Sequence, residues 1–266
     1  MKISDNDIVI TSWGDLCERL YDNSWKDRMG RFRTDYAFRG VSEKEYQLKN
    51  RFLRNCGEKE NLEYHLLRNF KKYAMVDATE ALTSDWRLLT IGQHYGLPTR
   101  LMDWTYSPFV AVHFATVNLD KYDHDAAIWM VDFVKAKELL PDSLREKLQQ
   151  AGANSFTIEM LEEAMPNLSD FKALSDTNVT LFFEPPSIDE RIVNQYAFFS
   201  CMSSATLIMD DWLLQYPDIY RRIIIPKEFK WEVRDKLDQA NINERLLFPG
   251  LDGLASWLQR HYYPGK

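Results

Sequence analysis

From Ser107 to Val117 the chain reads SPFVAVHFATV. Serine followed by proline is a helix start, because Ser107 can cap the helix and Pro108 suits its first position. The residues that follow are uncharged and apolar on every side of a helix. A helix with no face for water must be covered all round, so this segment predicts a layered molecule with a buried helix near 108–117. Composition allows such a core: 45% of the 266 residues are hydrophobic, with 8 Trp, 13 Tyr and 15 Phe, which excludes a disordered chain. The same run includes His113 and falls far short of the ~20 residues that cross a bilayer.

Around it, periodicity predicts further elements. Trp13–Leu20 reads as a helix capped by Ser12, and Glu60–Val76 as another, with Leu62, Leu66, Phe70 and Tyr73 on one face. Ser84–Tyr95 reads as a third, stopped by Gly96-Leu97-Pro98. Helices are also expected at 136–150, 157–165, 227–240 and 251–262. Strands are expected at Asp35–Phe38, ending at Arg39-Gly40, and at 126–131, 196–201 and 221–225. Strands and helices do not alternate strictly. The expected class is therefore α+β: a single domain with a mixed or antiparallel sheet packed with several helices. No linker or repeat divides it, so one domain is expected over 10–258, with an elaboration at 136–190 and a tail at 259–266.

Charge is uneven. Overall, 33 basic residues stand against 40 acidic, a net charge of -7, which counts against a whole-surface nucleic-acid binder. Residues 22–54, however, are net +4, and residues 157–190 alone are net -7. The second stretch is expected as an acidic helical insertion. Cys17, Cys56 and Cys201 have no pairing or metal-binding spacing, and the N-terminal MKISDNDIVI has no apolar leader core. A cytoplasmic protein with no membrane partner is expected.

Three stretches carry residues suited to chemistry. Gln93–Thr105, QHYGLPTRLMDWT, gathers Gln93, His94, Thr99, Arg100, Asp103, Trp104 and Thr105 around a Gly-x-Pro break. His94 can act as acid or base near neutrality. Arg100 and Asp103 can bind a ligand or form a clasp that starts the 108–117 helix. Trp104 is read as core. The second stretch is Phe38-Arg39-Gly40: an arginine fork suits a phosphate, and the glycine permits close approach or a type II turn. The third, Arg191–Phe199, places Gln195 at the mouth of an apolar strand. Phosphate loops, HExxH, GxSxG, Cys/His clusters and EF-hand patterns do not occur, so no metal is expected.

Together Phe38-Arg39-Gly40, QHYGLPTRLMDWTYSPFVAVHFA at 93–115, the Arg-Ile-x-x-Gln stretch at 191–195 and LLFPGLDGLASWL at 246–258 resemble the FRG domain family. Met102 replaces that family's usual leucine, and Ala197 a usual glycine. The resemblance implies a setting of bacterial or phage conflict, such as antiviral defence or a toxin. The order of the parts is also similar, more weakly, to ADP-ribosyltransferases. That likeness makes Arg39 an anchor for NAD, Thr105 or Ser107 the middle element, and Gln195 the late position. A carboxylate is usual at the late position, and Glu184 or Glu190 are the substitutes.

These readings lead to an NAD-using ADP-ribosyltransferase-like or glycohydrolase activity, with a nucleic-acid or protein acceptor. Arg39, His94 and Gln195 would be catalytic. Arg39, Gly40, Thr99, Arg100, Asp103 and Thr105 would hold the nucleotide. One alternative is a non-catalytic nucleotide or nucleic-acid sensor, using the basic 22–54 segment with Tyr36, Phe38 and Tyr46 interleaved. Another is a protein-interaction subunit that uses the acidic 157–190 region.

Overall fold

A computed structural model describes residues 6–74, 84–174 and 177–264. Its strands are β1 (Asp7–Val9), β2 (Trp25–Lys26), β3 (Arg31–Phe32), β4 (Tyr36–Val41), β5 (Leu101–Thr105), β6 (Ala126–Asp132), β7 (Phe156–Thr157), β8 (Thr180–Glu184), β9 (Ala197–Met202) and β10 (Tyr220–Ile225). Strands β2 and β3 form a separate hairpin. The other eight make one sheet in the order β1-β10-β6-β4-β5-β9-β8-β7. Its edge pairs, β1–β10 and β7–β8, are parallel, and the inner pairs are antiparallel. The mixed α+β class read from the sequence is thus the observed one.

The expected helices form as α1 (Trp13–Leu20), α3 (Asn61–Ala74), α4 (Asp85–His94) and α5 (Pro108–Thr116), with α2 (Arg51–Cys56) added between the first two. Ser12 and Ser84 cap α1 and α4 through their side-chain oxygens. Residues 75–76 of the expected 60–76 helix lie outside the described residues. Next come α6 (Phe133–Lys137), α7 (Asp142–Ala151), α8 (Ile158–Ala164), α9 (Leu168–Ala173) and α10 (Glu190–Asn194). The chain closes with α11 (Met209–Leu213), α12 (Lys230–Gln239), α13 (Glu244–Leu247) and α14 (Leu251–His261). Residues 259–261, expected in a tail, continue α14. Arg260 is buried there, bonded to Glu244 and Asp238.

Three differences bear on the site. Leu101–Thr105, inside a stretch read as a loop, is a sheet strand paired with β9 over its whole length. The acidic region is helical at α8 and α9 but also supplies β8, and Glu159 and Glu162 of α8 pair with Arg87 of α4. Finally, β4 runs on through Arg39 and Gly40 to Val41 rather than ending there.

The core explains where a site can form. One face of the sheet carries Trp104, Trp129, Phe182 and Phe198, which form a continuous cluster with Trp212 of α11. The other face carries two separate clusters. One, beneath α4, α7 and α8, includes Leu101 and Phe199. The other, beneath α1, α5 and α12, includes Phe38, Ile128 and Ile223. They part where β4 meets β5, which share one paired position, Phe38 with Thr105.

Helix α5 is buried as its sequence demands, and His113 goes in with it, fully covered. Its Nδ1 lies 2.8 Å from Arg234 Nη1. Burial first, and then the Arg234 charge, hold its pKa well below the ordinary 6.5. The folded chain therefore refuses a proton that the unfolded chain takes up, and stability falls as pH drops below 6.5. One such proton contributes up to ~1.4 kcal/mol per pH unit. His113→Gln is expected to flatten the pH dependence of the denaturation midpoint below that value. An unchanged slope would remove His113 as its source.

Candidate functional site

The gap between β4 and β5 opens into a cleft of about 370 Å³. Strand β4 brings Arg39 and Gly40, α4 brings Gln93 and His94 from its last turn, and β5 brings Asp103 and Thr105. Helix α2 adds Arg51 and Arg54, and α10 with its C-terminal turn adds Arg191 and Gln195. An adjoining cleft of about 720 Å³ shares Arg51, Gln93, His94, Asp103 and Arg191 and extends to Asp189, Glu190 and Phe248.

Strand β5 pairs with β9 along its other side, but on the side facing the gap it pairs with β4 only at Thr105, so the rest of its main chain there lacks a strand partner. Arg39 fills that role: its Nη1 donates to the Asp103 carbonyl oxygen. Burial lowers the proton affinity of the guanidinium, the Asp103 charge works against that, and Arg54 adds to the lowering. Arginine stays protonated nonetheless, and Nε of Arg39 is buried without a hydrogen-bond partner. Arg51 donates to the Gly96 carbonyl at 3.1 Å, and Arg191 lies over the Phe248 ring at 5.0 Å. Among the described residues, none of Arg39, Arg51, Arg54 and Arg191 is within ion-pair distance of a carboxylate. Four guanidiniums with no carboxylate at ion-pair distance around one concavity create a positive potential suited to a multiply charged anion.

His94 is held by Asp189, whose Oδ2 lies 2.8 Å from Nε2. The other oxygen of Asp189 caps α10 by accepting from the Ile192 amide. With Nε2 turned to a carboxylate, a neutral imidazole keeps its proton there and presents Nδ1 as an acceptor.

Several expected residues are placed differently. Thr99 and Arg100 do not reach the cleft. Thr99 is buried, with its hydroxyl donating to Gln93 Oε1 at 2.7 Å. Arg100 is 7% exposed and pairs with Glu63 of α3, which is 2% exposed. The clasp on Arg100 is real, but its partner is Glu63, not Asp103. Gln195 does not open a strand. The Asp189 cap starts α10 early enough that Gln195 falls in its C-terminal turn, followed by Tyr196 at φ +48°. Its Nε2 donates to the Leu247 carbonyl at 2.9 Å.

Thr105 lines the cleft, but its hydroxyl donates to the Gln195 carbonyl at 2.7 Å and accepts from the Ser107 amide. Ser107 does not line the cleft; Trp104 is core, 3% exposed, and also borders the cleft. Gly40 lines the cleft; it is not a turn glycine but lies within β4, where α5 crosses that strand. Glu184 lines a separate groove, accepting from Tyr106 Oη at 3.0 Å, and Glu190 lines the adjoining cleft.

The basic 22–54 segment divides. Arg39, Arg51 and Arg54 face the cleft, while Lys26, Arg28 and Arg33 line the groove that holds Glu184. Of the three rings interleaved with it, Tyr36 and Phe38 are buried, and Phe38 and Tyr46 border the cleft.

Reading by stretches missed Asp189, Arg51, Arg54 and Arg191 as site residues. A signal existed for two of them: Asn50 is a helix-cap residue, and Arg51 and Arg54 follow at i, i+3 spacing on one helical face. Among the described residues there is no cluster of three or more metal-ligating side chains. None of their helices is long and apolar enough to cross a membrane.

Fold and cleft together define an α+β protein with an arginine-lined site at a parting of its central sheet. Comparison with protein families matches residues 34–124 to the FRG domain. The chain carries an FRG domain, which spans β4 to the segment after α5 and contains both Phe38-Arg39-Gly40 and the 93–115 block. The 191–195 and 246–258 stretches lie beyond that match. No curated protein and no solved structure matches the chain.

Proposed function

We propose that this cleft binds a nucleotide, and that the protein uses NAD as substrate in an ADP-ribosyltransferase-like or glycohydrolase reaction. The observation that carries the reading is the set of four arginines without carboxylate partners. Guanidinium forks donate bidentately to phosphate oxygens, and a pyrophosphate takes several at once. The cleft volume lies in the range of small-ligand sites, ~300–1,000 Å³, and the adjoining cleft leaves room for the second half of a dinucleotide. His94, oriented by Asp189, is suited to take a proton from water or from an acceptor group on a nucleic acid or protein. An effector in a bacterial or phage conflict is the setting implied by the family resemblance.

Titration calorimetry with NAD tests the binding. Arg39→Ala is expected to weaken it ~10- to 100-fold, or about 1.5–3 kcal/mol, through lost charge-assisted hydrogen bonds. The unfolding free energy should stay within ~1–2 kcal/mol of wild type. Affinity unchanged by the substitution would end the anchor reading.

A second reading, a sensor without turnover, is favoured by one observation. The late position holds an amide, Gln195, tied to a main-chain carbonyl, and an amide cannot stabilise positive charge as a carboxylate does. Binding that weakens steeply with salt, with no nicotinamide released, would select it.

A further inference from the structure

Resting on the NAD-using reading, we infer that Asp103 is the catalytic carboxylate, facing the ribose carbon from which nicotinamide departs. Among the described residues that line the 370 Å³ cleft, Asp103 is the only acid. Its position is set by the strand. Within β5, Leu101, Met102, Trp104 and Thr105 are buried and Asp103 alone is exposed. Glu184 lies in another groove, and Glu190 lines only the adjoining cleft, whereas Asp103 lines both clefts.

The carboxylate is also oriented. Both of its oxygens accept from Gln93 Nε2 at 3.0 Å. The Gln93 amide cannot turn over without penalty, because its Oε1 accepts from Thr99 Oγ1 at 2.7 Å. Thr99 Oγ1 in turn accepts from the Leu101 amide at 3.2 Å. A main-chain N–H therefore fixes the threonine, the threonine fixes the glutamine, and the glutamine aims the carboxylate. Arg39 clamps the Asp103 carbonyl from the other side. No cationic side chain lies within ion-pair distance of the Asp103 carboxylate among the described residues, and the Arg39 guanidinium acts on its charge from further away. A preorganised anion is what a developing oxocarbenium requires.

In the step this assigns, the glycosidic bond between the ribose anomeric carbon and the nicotinamide nitrogen breaks. Its electron pair leaves with nicotinamide, which becomes neutral. Positive charge builds on the ribose ring opposite the Asp103 carboxylate. Water then bonds to the anomeric carbon, and its proton passes through His94 to solvent. NAD and water thus yield ADP-ribose, nicotinamide and a proton. Gln93 and Thr99 act as positioning residues.

The test measures nicotinamide release and NAD affinity on the full chain. Asp103→Asn keeps the shape and one acceptor oxygen. It is expected to lower kcat by ~100-fold or more, with NAD affinity within ~3-fold of wild type. Gln93→Leu is expected to lower kcat ~10-fold with KM little changed, a split that a merely structural role would not produce; it also serves if Asp103→Asn does not fold. Asp103→Asn with wild-type kcat overturns this assignment and leaves the NAD reading standing. Loss of NAD affinity in Asp103→Asn, with the fold intact, overturns it too, because Asp103 would then be a binding group only. Wild-type protein that binds NAD but releases no nicotinamide overturns both this assignment and the catalytic reading, while leaving nucleotide binding in place.

Discussion

Arg100→Ala is expected to destabilise the protein by about 3–5 kcal/mol, the range for breaking a buried ion pair by removing one partner. Glu63 is nearly inaccessible and makes its contacts through Arg100: Oε1 accepts from the Arg100 amide at 2.9 Å and Oε2 from Nε at 2.7 Å. Removing the guanidinium leaves a buried carboxylate with one main-chain donor and no counter-charge. The loss reaches further, because Arg100 Nη1 also donates to the Ser203 carbonyl at 3.1 Å. The side chain thereby ties α3, the start of β5 and the end of β9 together. Burial alone would lower the proton affinity of Arg100, but Glu63 more than reverses this and raises it. Urea denaturation measures the effect. Replacing both partners, as Arg100→Met with Glu63→Leu, should recover most of the loss, because matched apolar groups avoid the stranded charge. A single-variant loss below ~1 kcal/mol would show that the pair is not a structural clasp.

Gly40→Ala is the second large effect, expected at roughly 3 kcal/mol or more, above the usual overpacking range because the obstruction is main chain. A Cβ on residue 40 would lie 1.9 Å from the Ala111 carbonyl oxygen and 2.6 Å from the Ala115 nitrogen. Both atoms belong to the backbone of α5, so no side chain can swing aside. Helix and strand would have to separate, opening the cluster that contains Phe38, Ala111 and Ala115. The glycine of Phe38-Arg39-Gly40 thus serves the approach of the buried helix to its strand. A ligand role alone would predict lost affinity with an unchanged unfolding midpoint, and that outcome would overturn the packing argument.

These two residues also show where sequence reasoning stops. An arginine and an aspartate three apart in one stretch suggest a local pair, yet β5 is a strand, and residues two apart share a face while residues three apart do not. Arg100 therefore turns away from Asp103 toward a glutamate 37 positions earlier. Gly40 reads as a turn or a phosphate approach because the helix that needs its missing Cβ begins 68 residues later. Gln195 reads as the first residue of a strand because the apolar run starts just after it. The Asp189 cap makes it the end of a helical turn instead.

By itself, the sequence of this protein determined what depends on local periodicity and composition. The uncharged run after Ser107-Pro108 made α5 buried, and that burial required a layered molecule; strands and helices out of strict alternation made it α+β. Short apolar runs located β6 and β10 closely, and caps with helical periodicity located α1 and α4. The polar density of residues 93–105 marked the neighbourhood of the site. Tertiary structure alone decided which of those residues face one another. Pairing across a sheet, and the parting of β4 from β5, depend on contacts between residues far apart in the chain, which no local pattern encodes. That parting collects Arg39, Arg51, Arg54 and Arg191 from three elements into one cleft, removes Thr99 and Arg100 from it, and leaves Asp103 as its one carboxylate among the described residues.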